Sequence, residues 1–357
     1  MSRFLSGRYK GLLPYSPGEQ PQNTKYVKLN TNESPFQPTE KILKSINSDE
    51  LKKLRLYSDP EAKQSTQAIA KYYNLSANEV MVTNGSDEAL MFILMAFCDN
   101  ENGIAFPNIT YGFYSVFCEL LSLNSTLIPL KSDYKLDVDA FVGLNKNIII
   151  ANPNAPTGIA IAINDVRKIL QSNPNNIVAI DEAYVDFGAQ SAVELIKEFD
   201  NLIVVQTFSK SRSLAGARLG MALSNSDIIC DLNKIRFSFN PYNVNRLTDL
   251  MGKLAIEDND YFKNCCDVIV ENREYTTASL ISLGFEVLPS SANFIFARKA
   301  KLSGENFYLK LKEKGILVRY FDKPLLSDFV RISIGSRKEM EFVIKKTIEI
   351  LKEECLL

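Results

Sequence analysis

Seven short apolar runs recur between residues 79 and 223, and helix-like stretches separate most of them. The runs cover 79–83, 104–106, 126–130, 147–151, 177–180, 202–205 and 219–223, with helical stretches at 86–98, 111–121 and 164–171. Such runs are nearly continuous in apolar residues, so they read as strands buried on both faces. Strands alternating with helices predict an α/β fold, with a mostly parallel seven-stranded sheet covered on both sides. In sheets of this kind ligands sit beyond the carboxyl ends of the strands. The residues just after each run are therefore where chemistry is expected.

Several of those positions are unusually polar. The first run leads into Asn84-Gly85-Ser86-Asp87, which opens a helix. The fourth leads into the turn ANPNAPTG (151–158), the fifth into Asp181-Glu182-Ala183-Tyr184, and the sixth into Thr207, Ser209 and Lys210. Arg218 follows Lys210 by eight residues, past Leu214-Ala215-Gly216. A lysine at the mouth of a buried strand is poorly solvated, and desolvation favours the neutral amine that Schiff-base chemistry uses. A surface lysine in a loop is the ordinary alternative. Asp181 follows four apolar residues, where a buried carboxylate needs a cation or donors; a helix cap is the alternative there. Gly85-Ser86-Asp87 suits a phosphate through free N–H groups and the positive end of the helix dipole, or a plain cap. Arg218 adds a bidentate anion partner. Tyr111 opens a helix after a strand end and could stack on a ring, or fill the core.

Composition removes competing chemistries. The chain has no histidine, which excludes Ser-His-Asp and Cys-His catalysis and His-ligated zinc. Proton transfer falls to Lys, Asp, Glu, Tyr or Cys. The formal net charge is −1 with acids and bases mixed, so no nucleic-acid or membrane footprint is expected. The longest apolar run, 89–98, is half of what a bilayer span needs. The N-terminus lacks an apolar signal core, and none of the six cysteines stands in a CxxC spacing; a cytoplasmic enzyme with reduced thiols and no metal site is expected. An amine, a buried carboxylate and an anion cradle together suit pyridoxal phosphate. Lys210 would bind its aldehyde, Asp181 its ring nitrogen and Tyr184 its ring hydroxyl, while Ser86, Asp87, Thr207, Ser209 and Arg218 would take the phosphate.

At 357 residues about two domains are expected. The chain begins with an irregular arm containing PYSPGEQP (14–21), then a short strand at 27–29 and helices at 39–54 and 62–73. A helical region over 244–283 leads to a second pattern, with strands at 285–288, 293–297, 316–319 and 329–334 and a closing helix at 337–354. The expected division is an arm over 1–45 packing with the small domain, a large cofactor-binding domain over 46–243, and a smaller α+β domain over 244–357.

The motifs PYSPGEQP, KLNTNESPF, LYSDP, TNGSDEAL, NPNAPTG, DEAYVDF, TFSKSRSLAGARLG, GILVRYF and VRISIG, in this order over residues 14–335, resemble the fold-type I pyridoxal-phosphate aminotransferases. Within them the chain is most similar to the histidinol-phosphate branch. The resemblance implies Lys210 as the Schiff-base lysine and proton carrier, with Asp181, Tyr184, Tyr111, Asn154, Gly85, Ser86, Asp87, Thr207, Ser209 and Arg218 around the cofactor. It further implies a homodimer in which Tyr57 reaches the neighbouring subunit's phosphate. Arg331 and Arg319 would bind substrate carboxylate and phosphate, and Tyr15 and Asn32 would line the pocket. The expected substrates are histidinol phosphate, glutamate and 2-oxoglutarate; a relaxed aromatic aminotransferase or a threonine-phosphate-type decarboxylase are the alternatives. One position departs from the family pattern, where NPNNPTG is usual: Ala155 replaces the asparagine that touches the ring hydroxyl.

Overall fold

The computed structural model describes residues 2–22 and 26–357. Its strands are β1 (Val27–Lys28), β2 (Val80–Thr83), β3 (Ile104–Pro107), β4 (Ser125–Ile128), β5 (Asn147–Ala151), β6 (Val178–Asp181), β7 (Leu202–Thr207), β8 (Gly220–Leu223), β9 (Phe285–Val287), β10 (Phe294–Lys299), β11 (Ile316–Leu317), β12 (Arg319–Tyr320) and β13 (Val330–Ser333). The seven runs of the alternating region make one sheet in the order β2-β8-β7-β6-β5-β3-β4. β8 alone runs opposite to the other six strands.

The two faces of this sheet show why the runs are so apolar. Ile148, Ile150, Val178, Ile180, Leu202 and Val204 enter one core. Ile149, Ala179, Ile203 and Val205 enter another on the opposite face, as the two-residue period of a strand requires. Only β4, at the edge, alternates between exposed and partly buried positions.

The second sheet is antiparallel, in the order β12-β13-β10-β9. The strand expected over 316–319 serves two sheets. Ile316 and Leu317 pair in parallel with Val27 and Lys28 of the arm, whereas Arg319 and Tyr320 pair with β13. Buried Val318 lies at the switch, within the small core. The arm is thus stitched to the small sheet, and Leu29 enters its core.

Three helical details differ from expectation. The stretch 39–54 breaks into Glu40–Ser45, Ser48–Lys52 and a 3-10 turn, because the Asn47 side chain accepts from the N–H groups of Asp49 and Glu50 and restarts the helix. Helices Ser226–Phe239 and Gly304–Glu313 are additional. The boundary expected at 243/244 falls before helix Arg246–Glu257, yet that helix packs with the large sheet: Val244, Ala255 and Ile256 belong to its core. Asp249 Oδ1 accepts from Ser65 N at 2.9 Å and from Ser65 Oγ at 2.6 Å. It thereby caps helix Lys63–Tyr73, whose own N-cap, Ala62, has no side chain able to do so. Among the described residues no helix is long and apolar enough to cross a membrane, and no group of His, Cys, Asp and Glu could hold a metal ion.

Candidate active site

The carboxyl ends of β2, β3, β6 and β7 meet at one mouth, and the small sheet and the arm close it from above. Lys210 lies just past β7. Ahead of it Thr207 and Ser209, both buried, knot the turn. The Thr207 hydroxyl donates to Ser209 Oγ at 3.0 Å and accepts from Ser209 N–H at 3.1 Å. Lys210 Nζ donates to the Thr31 carbonyl of the arm at 3.1 Å and lies 5.8 Å from the centre of the Tyr184 ring. Burial pulls the amine down to about 8, helped by the Arg331 and Arg218 charges and opposed by Glu33 and Asp87.

Asp181 closes β6 and is buried. It accepts from Tyr114 Oη at 2.6 Å and from Ala183 N–H at 3.2 Å. Burial nevertheless pushes its carboxyl up to about 6, against those two donors. A carboxylate so held gains strongly from a nearby cation. Tyr184 accepts from Asn32 Nδ2 at 3.0 Å and meets Phe294 edge-on at 5.0 Å. Asn32 sits at φ 56° and is held there by the small domain. Its N–H donates to Ser333 Oγ, Ser333 donates back to its Oδ1, and Asn293 donates to its carbonyl.

The third feature is an anion seat. Helix Ser86–Phe97 starts after Gly85 at φ 82° with no side-chain cap, so its first N–H groups and dipole face the mouth. Gly220 of β8 lies directly beneath: an added Cβ would come within 2.4 Å of both Gly85 C and Ser86 N. Asp87 accepts from Tyr111 Oη at 2.9 Å and from Arg218 at 3.2 Å, aiming both at the seat. Asn154 donates to the Ile109 carbonyl and Thr157 Oγ1, and its buried Oδ1 has no partner. Ala155 instead packs with Ala292, Phe294 and Tyr184.

The two arginines come from adjacent strands. Arg319 of β12 stands directly across from Arg331 of β13. Arg319 donates to the Ser16 and Pro17 carbonyls at 3.0 and 3.3 Å, and Arg331 to the Asn30 carbonyl at 3.1 Å, with its Nε buried and unpartnered. Tyr15 packs on Phe113 at 4.6 Å and lies 6.1 Å from Tyr111, and burial raises its phenol. Tyr57 is the one expected residue that does not join the cluster. It is 79% exposed and stacks on Tyr242 at 4.6 Å.

Sequence reasoning missed Tyr114, Asn293, Ser333 and Asp186. Tyr114 sits inside helix Phe113–Leu121, outside the polar motifs that mark the other site residues. Asp186 was visible in DEAYVDF; it accepts from Ser211 Oγ at 2.5 Å and so ties the segment carrying Asp181 and Tyr184 to the one carrying Lys210. An amine with a lowered pKa, a buried acid short of a cation, and an uncapped helix start with an arginine beside it fit pyridoxal phosphate.

The aminotransferase class I and II family model matches residues 24–346. A histidinol-phosphate aminotransferase of Brachyspira hyodysenteriae is 47% identical over 353 residues, covering 99% of this chain and all of the relative. One from Clostridium botulinum is 44% identical over the same span and coverage. In fold, the chain is similar to the histidinol-phosphate aminotransferase of Sinorhizobium meliloti solved with pyridoxal-5'-phosphate, with a TM-score of 0.84, 24% identity and 92% of each chain covered. The match takes in every strand of all three sheets and the loops that carry the amine and the acid: this chain belongs to the aminotransferase class I and II family and is a pyridoxal-phosphate-dependent aminotransferase.

Proposed function

We propose that the enzyme transfers the amino group of glutamate to imidazole-acetol phosphate, yielding histidinol phosphate and 2-oxoglutarate, as a step of histidine biosynthesis. The observation that carries this choice is the cross-strand register of Arg319 and Arg331. Like charges directly opposite on neighbouring strands repel, and a phosphate or carboxylate between them relieves that repulsion. A substrate with a phosphate at one end and an amine at the other suits two arginines beside a lysine. The full-length relatives at 47% and 44% identity carry that activity in their names.

Pyridoxal phosphate, when bound, supplies an aldehyde for capturing amines and a ring that draws electrons from the substrate Cα. Lys210 would hold it through Nζ, then take up and return the Cα proton. Its lowered pKa keeps part of the amine neutral near pH 8. Asp181 would pair with the ring nitrogen. Tyr184, oriented by Asn32, would serve the ring hydroxyl together with Asn154. The helix start at Gly85 and Ser86 would hold the phosphate with Thr207, Ser209 and Arg218. Tyr111, tethered by Asp87, would lie against the ring. Tyr57 from a second copy of the chain would complete the phosphate seat, which makes the enzyme a homodimer. Tyr15, Asn32, Arg319 and Arg331 would receive the substrate. The free thiols of all six cysteines suit a cytoplasmic enzyme.

The test compares half-reactions with histidinol phosphate, glutamate, phenylalanine and phosphothreonine, followed by cofactor absorbance. Histidinol phosphate is expected to react fastest. Arg319→Ala should raise its Michaelis constant about tenfold or more, from a lost charged hydrogen bond, and barely change phenylalanine. Equal losses on all substrates, or carbon dioxide release from phosphothreonine, would overturn this choice of substrate.

A further inference from the structure

The PYSPGEQP motif reaches the site at Tyr15, but its acid, Glu19, lies away from the chemistry. Its contacts run to the small domain. The carboxylate receives Lys312 Nζ at 2.7 and 2.9 Å and the Tyr308 hydroxyl. Those donors are four residues apart on helix Gly304–Glu313 and so share one face. The pairing with Lys312 and Tyr308 also holds the carboxyl of Glu19 below its ordinary range.

Everything between Tyr15 and Glu19 rests on site residues. Tyr15 packs on Phe113. The Ser16 and Pro17 carbonyls take the Arg319 guanidinium. Gly18 presses on Thr31, where an added Cβ would lie 2.6 Å from Cγ2, and the Thr31 carbonyl accepts from Lys210. The Glu19 carbonyl accepts from Asn30 Nδ2 at 2.8 Å, and Asn30 in turn accepts from Arg331 through its own carbonyl. The turn is a clasp over the lysine and both arginines, and its own one charged side chain, Glu19, anchors it to the small domain.

We propose that Glu19 is a positioning residue: it latches the Tyr15–Glu19 turn to Tyr308 and Lys312, and thereby holds Arg319 and Tyr15 in the arrangement that receives the phosphorylated substrate. The kinetic half of this inference rests on the substrate proposed above; the structural half does not. The ion pair is half exposed, with Glu19 at 47% and Lys312 at 32%, so its effect is modest. Releasing it should raise the Michaelis constant for histidinol phosphate about fivefold, equivalent to about 1 kcal/mol.

The experiment uses the cofactor-loaded enzyme and four forms: wild type, Glu19→Ala, Lys312→Glu, and the exchange Glu19→Lys with Lys312→Glu. Each single change is expected to raise the Michaelis constant about fivefold, with turnover number and cofactor content held. Chymotryptic cleavage after Tyr15, inside the turn itself, should speed up in parallel. The exchange should restore both, which a merely destabilised fold would not do. An unchanged Michaelis constant with unchanged cleavage in Glu19→Ala, or an exchange as defective as the single changes, would overturn the latch. Wild type that ignores histidinol phosphate would overturn the substrate instead, and the cleavage rates would still decide the latch.

Discussion

Asp181 shows what burial does to one residue. Its carboxyl stands at about 6 against an ordinary 3.8 because the β6 end is desolvated. A carboxyl raised by folding stabilises the native state below the unfolded value, and that contribution disappears as pH rises through about 4–6. At pH 8 the buried charge is therefore a burden, which a cationic ring nitrogen relieves. Asp181→Asn should make the cofactor-stripped protein more stable at pH 8 by about 1–2 kcal/mol, allowing for one weakened hydrogen bond. The gain should fade towards pH 4, while turnover of the loaded enzyme collapses. Melting temperatures across that range check it; no gain at pH 8 would mean that the carboxylate is already compensated in the protein itself. The acid was legible in the sequence because four apolar residues precede it. Its donor Tyr114 was not, since a tyrosine in the apolar helix Phe113–Leu121 resembles any core residue until β6 is laid beside it.

At the scale of elements, the strands of the large sheet were legible because their burial on both faces leaves continuous apolar runs, as in β5 and β7. Their order was not, because β8 inserts between β2 and β7 through contacts distant in sequence. Helix Gly304–Glu313 buries only Gly304, Phe307 and Leu311, too thin an apolar stripe to stand out. The join between β8 and the helix start at Ser86 is the tightest backbone approach in the site. Gly220→Ala would drive a methyl to 2.4 Å from Gly85 C and Ser86 N, where backbone atoms cannot swing aside. A destabilisation of about 1–3 kcal/mol is expected from such overpacking, with weakened cofactor retention because the anion seat is displaced. Gly216→Ala, with nothing within 4 Å of the added Cβ, is the control and should change neither. Denaturant midpoints and cofactor retention on dialysis measure both, and equal behaviour of the two variants would show that the Gly85 turn yields.

At the scale of the whole molecule, the proposed site takes one residue, Tyr57, from a second copy of the chain. Tyr57 is 79% exposed and stacked on Tyr242, with Leu54, Leu56, Phe237 and Phe239 also exposed. Exposed apolar side chains on a helix and turn beside Tyr57 are what a partner surface would cover. The proposed homodimer would bury them and carry Tyr57 to the other subunit's phosphate seat. No sequence pattern says which chain a residue serves, so this reading came from resemblance alone. Mixing two defective variants separates the possibilities. Tyr57→Ala keeps Lys210 but spoils the partner's seat; Lys210→Ala has no working lysine but offers an intact Tyr57. In a mixed dimer one site holds both wild-type residues and the other holds neither. Random exchange of equal amounts makes half the dimers mixed, each with one working site, so about a quarter of wild-type activity should return at limiting cofactor. If Tyr57 instead serves its own chain, each site of a mixed dimer carries one defect and mixing restores nothing. Activity assayed before and after co-refolding, alongside each variant alone, distinguishes the two arrangements.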